Sequence, residues 1–178
     1  MEKRPAVFFD RDGVVNRSPG AGYVTRWQDF ELNEGIDAAV SLCKSRGYYA
    51  VLVTSQRCVS KGLISIDTLH ALHDEMQHAL GASAKFDSIH EFTGLPGTES
   101  LEKPNPGLIL EAARALPIDL ERSWLIGDAD RDIVMAQRAG VPSTVRVLTN
   151  HPVGVEAMFT VDSIAALIPL LELRLPFV

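Results

Sequence analysis

Short apolar runs alternate along the chain with segments whose apolar residues recur at helical spacing. The runs read AVFFD, YAVLVT, FDSIHEF, SWLIGD and STVRVL. Runs that are continuously apolar, rather than alternating, are typical of strands buried on both faces of a parallel sheet. The pattern therefore predicts parallel strands covered by helices on both sides.

The segments between these runs carry apolar residues three and four positions apart. The first has Ile36, Ala39, Val40 and Cys43 on one face and stops at Gly47, which predicts an amphipathic helix. Similar patterns predict helices over 66–80, 106–116 and 130–139.

The C-terminal segment FTVDSIAALIPLLELR predicts a short strand and then a helix from Ile164. Pro169 should kink or break that helix, because proline cannot donate a backbone hydrogen bond. Taken together, the elements predict an α/β fold with a three-layer, doubly wound parallel sheet of Rossmann-like type.

Composition narrows the class of protein. The 178 residues, 46% of them hydrophobic, suffice for one core, so we expect a single domain over 1–178. The formal net charge of −6 and the lack of a Lys/Arg run argue against nucleic acid and anionic membranes as partners.

The sequence offers little sign of membrane insertion, secretion or disulfide bonds. No stretch is long and apolar enough for a membrane span, and the N-terminus is unlike a secretory signal. Cys43 and Cys58 are too few for a disulfide framework or a four-cysteine zinc site. We therefore expect a cytoplasmic protein, whose oligomeric state the sequence leaves open.

Polar motifs follow four successive predicted strands: DRDG, TSQ, EKPNPG and GDADRD. Each alone is an ordinary turn, but their arrival at four strand ends is hard to obtain by chance. The carboxyl ends of strands are where open α/β sheets bind their ligands. We therefore interpret these motifs as parts of one site.

The acidic residues of these motifs indicate a metal site. Asp10, Asp12 and Asp128 would repel one another unless a cation or a proton lay between them. Oxygen ligands without surplus His or Cys favour Mg²⁺. Lys103 and the Thr54 hydroxyl could then complete an anion cradle for a phosphate.

Phosphoryl transfer requires a nucleophile, neutralisation of the phosphate oxygens and a proton for the leaving oxygen. Asp10, directly after the first strand, is the candidate nucleophile and would form an aspartyl-phosphate. Asp12 is the candidate acid and base, protonating the leaving oxygen and later deprotonating water.

With these residues in place, DRDG, VTSQ with a later KG, KPNPG and GDADRD resemble the four motifs of the haloacid dehalogenase superfamily of phosphatases. The resemblance is nearest to the histidinol-phosphate and heptose-bisphosphate phosphatase branch. It implies the haloacid dehalogenase fold with a minimal cap, and an open active site.

The resemblance also implies roles for individual residues. Asp10, Asp128 and the backbone carbonyl of Asp12 would bind Mg²⁺. Thr54 would hold the transferring phosphate, with Ser55 beside it, and Lys103 would neutralise it. Asp132 would support the last motif, and Asp130 reads as a residue that starts a helix.

Several positions depart from the family pattern. Ser55, Arg57 and Cys58 replace Asn, Ser and Gly of the usual TNQSG, and the cysteine-rich loop before the KP motif is missing, so we expect no structural zinc. Glu102 and Ala129 replace two basic residues that grip a distal phosphate. Replacement charge could come from Arg57, Lys61 or Arg26.

The sequence therefore predicts a Mg²⁺-dependent phosphomonoesterase for a small phosphorylated metabolite, with a sugar phosphate such as heptose bisphosphate favoured. Histidinol phosphate and polynucleotide 3′-phosphate ends are alternative substrates, although the acidic balance disfavours the latter. A non-catalytic protein that binds phosphorylated ligands is the alternative from another class. The five histidines are interpreted as surface or core residues.

Overall fold

The computed structural model describes residues 2–178 and contains one six-stranded sheet. The strands are β1 (Ala6–Phe9), β2 (Tyr49–Ser55), β3 (Ser88–Phe92), β4 (Trp124–Gly127), β5 (Ser143–Val147) and β6 (Phe159–Val161). All of them pair in parallel, as predicted, and their order in the sheet is β3-β2-β1-β4-β5-β6.

Five α-helices connect and follow the strands. They are α1 (Ile36–Ser45), α2 (Ile66–Leu80), α3 (Gly107–Ala115), α4 (Asp130–Ala139) and α5 (Ile164–Arg174). Each was predicted from its apolar spacing. Of the two outcomes predicted at Pro169, a kink or a break, the break is wrong, because α5 runs through this residue. The buried face of α5, with Leu167 and Leu171, packs into the core and supports the helix despite the missing hydrogen bond.

The sheet has an apolar core on each face, and this explains the continuous apolar strands. Val7 and Phe9 of β1 belong to the core that contains buried residues of α1, α2 and α5. Ala6 and Phe8 belong to the core that contains buried residues of α3 and α4. Successive side chains of a strand point to opposite faces, so β1 must be apolar at every position.

The order of the strands creates a reversal beside β1. The chain leaves β1 for β2 and β3 on one side, then returns to place β4 on the other side. Ligands bind at such a switch point in open α/β sheets. The loops after β1 and β4 therefore meet where a site is expected.

Apart from isolated β-bridges at Asn16, the regular structure in the loops that follow β1 and β3 consists of short helical turns at Trp27–Asp29 and Glu99–Leu101. Within residues 2–178 they form no cap domain, in agreement with the predicted minimal cap. None of the helices in this described part of the chain is long and apolar enough to cross a lipid bilayer.

Candidate active site

The register of the three central strands brings the predicted residues together. Phe9 of β1 pairs with Leu52 of β2 and with Ile126 of β4. Asp10 follows Phe9 directly, while Asp128 follows the last residue of β4 and Thr54 lies near the end of β2. Parallel pairing therefore gathers Asp10, Thr54 and Asp128 at one edge of the sheet, where all three are buried.

Lys103 lies at the centre of this group with its side chain only 1% exposed. Its Nζ donates to Asp10 Oδ1 at 2.8 Å, to Asp132 Oδ1 at 2.8 Å and to the Val53 carbonyl at 3.1 Å. The burial of this ammonium is compensated by two carboxylates. The Lys103 side chain thus connects the loop after β3 to Asp10, which follows β1, and to the first turn of α4.

Asp132 supports the last motif, as the resemblance implied. Its Oδ2 accepts hydrogen bonds from the backbone N–H groups of Asp128 at 3.3 Å and Ala129 at 3.0 Å. Asp130 is the first residue of α4, as expected. Its carboxylate also accepts from the backbone of Gly154 and Val155, a contact that the sequence did not indicate.

The cluster contains three carboxylates but only one ammonium group, that of Lys103, and burial together with this imbalance shifts the pKa values of the carboxylates. Burial, followed by the charge of Asp132, raises the pKa of Asp10 from 3.8 to about 7, although Lys103 acts to lower it. Burial and Asp132 also raise the pKa of Asp128 to about 6. In Asp132, burial is outweighed by Lys103, so its pKa is lowered. The single positive charge of Lys103 therefore does not balance the three carboxylates of Asp10, Asp128 and Asp132.

The residues present fit a hard divalent cation. Carboxylate oxygens of Asp10, Asp128 and Asp132 lie within 4.8 Å of one another. Asp128 Oδ1 is buried without a hydrogen-bond partner in residues 2–178, which is costly unless a ligand contacts it. Oxygen donors of this kind match the ligand preference of Mg²⁺.

Gly13 allows the loop after β1 to approach Asp128. Its φ of +93° lies in the left-handed region, and a Cβ at this position would lie 2.1 Å from Asp128 Oδ2. Only glycine combines this backbone conformation with so close a contact. The glycine of DRDG is therefore part of the site's geometry.

Asp12 lies beside the cluster, with its carboxylate held by three side chains. Arg11 donates from Nη2 to Asp12 Oδ1 at 3.0 Å, and Asn16 Nδ2 donates to the same oxygen at 2.9 Å. Gln56 Nε2 donates to Asp12 Oδ2 at 2.8 Å and to Thr54 Oγ1 at 2.9 Å. The side chain keeps 23% exposure, which leaves it access to a ligand.

A cavity of about 190 Å³ adjoins Asp12 and is open to solvent. Its wall consists of Asp12, residues 18–23, Ser55, Arg57, Arg131 and His151. Ser55 and Arg57 were expected here, whereas Arg131 and His151 were missed. A leaving group next to Asp12 would occupy this space.

Replacement charge for the two lost basic positions is only partly available. Arg57 Nη2 forms an ion pair with Glu102 Oε1 at 2.7 Å, so each offsets the other. Arg26 pairs with Asp29, and Lys61 lies over the ring of Tyr23. Neither Arg26 nor Lys61 is among the residues that line the cavity, although Tyr23, over which Lys61 lies, is one of them.

Thr149 and Arg146 are two further residues that the motifs did not reveal. Thr149 Oγ1 donates to Asp128 Oδ2 at 3.0 Å. Arg146, almost fully buried, donates to the Asp128 carbonyl at 3.0 Å and to Asp130 Oδ1 at 2.6 Å. Both belong to β5 or follow it, and the end of this fifth strand was the available signal.

Comparison with known proteins shows that this chain is similar to hydrolases and phosphatases. The HAD-hyrolase-like family model matches residues 100–153. A D-glycero-beta-D-manno-heptose-1,7-bisphosphate 7-phosphatase of Rhodopseudomonas palustris is 36% identical, covering 79% of this chain and 82% of the relative. A D-glycero-D-manno-heptose-1,7-bisphosphate 7-phosphatase of Thermosynechococcus vestitus is also 36% identical, covering 77% and 76%.

A solved structure extends the similarity to the whole fold. The D,D-heptose 1,7-bisphosphate phosphatase of B. bronchiseptica, complexed with magnesium and phosphate, is 27% identical with a TM-score of 0.82. The alignment covers 96% of this chain and 99% of that one. The chain is thus a phosphatase that belongs to the haloacid dehalogenase superfamily, in the branch that includes the heptose-bisphosphate phosphatases.

Proposed function

We propose that this phosphatase hydrolyses a small sugar phosphate, with heptose 1,7-bisphosphate as the first candidate, through an aspartyl-phosphate on Asp10. The observation that carries the proposal is the buried group of Asp10, Asp128 and Lys103 at the switch point of the sheet. The activity of the related enzymes supports the choice of substrate.

The proposed reaction has two steps. In the first, a carboxylate oxygen of Asp10 bonds to phosphorus while the bond to the leaving oxygen breaks, and Asp12 gives that oxygen its proton. In the second, Asp12 takes a proton from water, whose oxygen attacks phosphorus and releases Asp10 and phosphate. Both steps use Asp12 where it lies, beside the open cavity.

The phosphate would be held by Lys103, Thr54 and Ser55 at the strand ends. Asp10, Asp128 and the backbone carbonyl of Asp12 are the proposed Mg²⁺ ligands, with Asp132 supporting the loop of Asp128. Bound Mg²⁺ would offset the negative charge of the phosphate and of the carboxylates. Its requirement is supported by the buried, unpartnered oxygen of Asp128.

The cavity beside Asp12 supports a small, polar leaving group. Arg131 and His151 face it, and Arg57 lines it while paired with Glu102. These side chains can contact hydroxyl groups and one negative charge of a sugar. Two free cysteines, Cys43 and Cys58, both buried, support a cytoplasmic location as part of the proposal.

A panel of phosphate esters tests the substrate. Heptose 1,7-bisphosphate, sugar monophosphates, histidinol phosphate and a 3′-phosphorylated DNA end should be compared by phosphate release at equal concentration. We expect the highest kcat/KM with a sugar phosphate and loss of activity in EDTA. A higher kcat/KM with histidinol phosphate or with DNA ends would contradict the proposed sugar-phosphate substrate. Binding of these esters without release of phosphate would indicate a non-catalytic protein.

The variant Asp10→Asn tests the mechanism. It should abolish hydrolysis of an aryl phosphate, by at least about 10³-fold, while thermal unfolding shows an intact fold. Asp119→Asn is the control, because Asp119 is a surface aspartate paired with Arg122 and away from the strand ends. Full activity in the Asp10 variant would contradict the aspartyl-phosphate.

A further inference from the structure

A chain of buried polar contacts leads from Asp12 away from the reacting centre to β3. We propose that Glu91 and His73 form a positioning relay that orients Arg11, and through it the Asp12 carboxyl, for proton transfer to the leaving oxygen. The inference rests on the proposed role of Asp12 as acid and base. It assigns a function to residues in α2 and β3 that none of the four motifs contains.

Arg11 is the link to Asp12. Its Nη2 lies 3.0 Å from Asp12 Oδ1 and 3.3 Å from Oδ2, and its Nε lies 3.3 Å from Oδ1. The Arg11 side chain is completely buried. A planar guanidinium that uses one edge for a carboxylate transmits its own orientation to that carboxylate.

His73 contacts the opposite side of the same guanidinium. Arg11 Nη1 lies 3.4 Å from His73 Nε2, and the two residues are 62 positions apart in the sequence. Within residues 2–178, Nη1 has no other hydrogen-bonded partner. The orientation of the Arg11 plane therefore depends on His73 and on the ring of Phe30, which lies 5.5 Å away.

The neighbours of His73 determine which ring nitrogen carries the proton. Arginine can only donate hydrogen bonds, so Nε2 of His73 must offer its lone pair. Nδ1 lies 3.1 Å from Glu91 Oε2, so Nδ1–H donates a hydrogen bond to that oxygen. The imidazole is thus neutral and polarised by Glu91, an arrangement that strengthens Nε2 as an acceptor.

Glu91 is itself held in place. It lies on β3, where its backbone pairs with Thr54 of β2. Its second carboxylate oxygen contacts His70 Nε2 at 2.6 Å. Burial acts to raise the pKa of Glu91, but the hydrogen bonds from His73 and His70 act against it, and the pKa is lowered. The relay is therefore anchored to the strand that neighbours the catalytic strands.

The consequence is specific to one chemical step. As the bond from phosphorus to the leaving oxygen breaks, the proton of Asp12 moves to that oxygen, and the bond from Asp10 to phosphorus forms. Misorientation of Asp12 should slow the departure of a leaving group that needs this proton, such as an alkoxide. It should have little effect on a leaving group that departs as a stable anion, such as dinitrophenolate. A purely structural role of His73 would affect both substrates alike.

The test compares kcat/KM for an alkyl phosphate and for dinitrophenyl phosphate, since kcat/KM reports the steps up to departure of the leaving group. The variant His73→Leu should lower kcat/KM for the alkyl phosphate about tenfold, and kcat/KM for dinitrophenyl phosphate less than about twofold. His73→Gln, whose amide can both accept and donate, should restore the ratio. Glu91→Gln should give a smaller change in the same direction.

His90→Leu is the matched control. His90 also pairs through Nδ1 with a glutamate, Glu111 at 3.3 Å, and is mostly buried, but it does not contact Arg11. Its ratio should remain that of the unmodified protein. If His73→Leu folds poorly, Glu91→Gln, compared with and without Asp12→Ala, decides the question. In the Asp12→Ala background Glu91→Gln should cause no further change in either kcat/KM value.

The outcomes separate the two hypotheses. Equal loss on both substrates in the His73 and Glu91 variants, or continued loss in the Asp12→Ala background, would overturn the relay while leaving the phosphatase mechanism intact. If Asp12→Ala itself leaves the alkyl value unchanged, Asp12 is not the acid, and the proposed mechanism fails together with the relay.

Discussion

Gly13 is the residue at which one added methyl group should do most harm to the site. In Gly13→Ala the Cβ would meet the Asp128 carboxylate at 2.1 Å, and its φ of +93° is strained for alanine. We expect kcat/KM to fall by about 10²-fold, since displacement of a site residue by 1 Å can cost that much. Steady-state kinetics with saturating Mg²⁺ measure it.

A matched control separates the steric clash from the backbone strain. Gly140 has a φ of +81°, and nothing lies within 4 Å of a Cβ added there. Gly140→Ala should therefore cost about 1 kcal/mol of stability without loss of activity. An equal loss of activity in both variants would show that strain, rather than contact with Asp128, explains the effect.

The ion pair of Arg57 and Glu102 controls the charge at the mouth of the cavity. Glu102→Gln removes the carboxylate that pairs with Arg57 at 2.7 Å. The ratio of kcat/KM for a sugar bisphosphate to that for a monophosphate should rise about threefold or more, because one repulsive charge is gone and Arg57 is released.

The nearby glutamate Glu99 provides the control for Glu102. It is exposed in the same loop and forms no ion pair in the described part of the chain. Glu99→Gln should leave the ratio unchanged. A ratio that does not move in Glu102→Gln would show that the pair lies outside the leaving-group site. High salt should reduce the effect, since both side chains are partly exposed.

Among the helices, α5 should stabilise the fold without contributing a residue to the proposed reaction. Leu171 is fully buried in the core shared with α1, and Leu171→Ala should destabilise the protein by about 3 kcal/mol. Urea unfolding measures the loss. The kcat of the folded protein should not change, because Leu171 lies outside the loops of the site.

Leu173 gives the comparison on the same helix. It is 75% exposed, so Leu173→Ala should change stability by less than about 0.5 kcal/mol. Comparable destabilisation by both variants would contradict the assignment of the buried face of α5. That face was predictable from its spacing, whereas the continuity of α5 through Pro169 was not, because it depends on packing against α1.

The sequence predicted the strands and helices more completely than it predicted the residues of the candidate site. The strands were recognisable because both of their faces are buried, which demands continuous apolar residues. The proposed site residues Asp10, Thr54, Lys103 and Asp128 could be predicted because they lie at or after the ends of those strands. Thr149 was missed because it follows a strand whose end carries no acidic motif, and only the bond to Asp128 reveals it.

For the whole molecule, the raised pKa values of Asp10 and Asp128 link stability to pH and to Mg²⁺. Their unfolded value is 3.8, and their folded values are about 7 and about 6. The stability that these groups contribute is fully present below pH 3.8. It is lost as the pH rises through the folded pKa values, because the ionised forms crowd in a buried cluster.

Mg²⁺ should relieve this loss, so its stabilising effect should grow with pH. We expect a larger increase in Tm on replacing EDTA by Mg²⁺ at about pH 8 than at about pH 5. Differential scanning calorimetry measures both values. In Asp128→Asn the difference between the two pH values should shrink. An equal increase in Tm at both pH values would contradict the assigned cation site.

The sequence by itself determined the α/β class, the order of elements and the four strand-end motifs. It did so because burial on both faces and helical spacing leave a signal in neighbouring residues. Membership of the phosphatase superfamily followed from those motifs, which are each contained within a few adjacent positions.

Only the tertiary structure decided which side chains meet across the site. The pairing of Arg57 with Glu102, the contact of Arg11 with His73 and the bond of Thr149 to Asp128 join distant parts of the chain. Such contacts depend on strand register, loop path and side-chain reach, none of which has a local pattern. The charge around the leaving group and the orientation of Asp12 are therefore properties of the folded molecule.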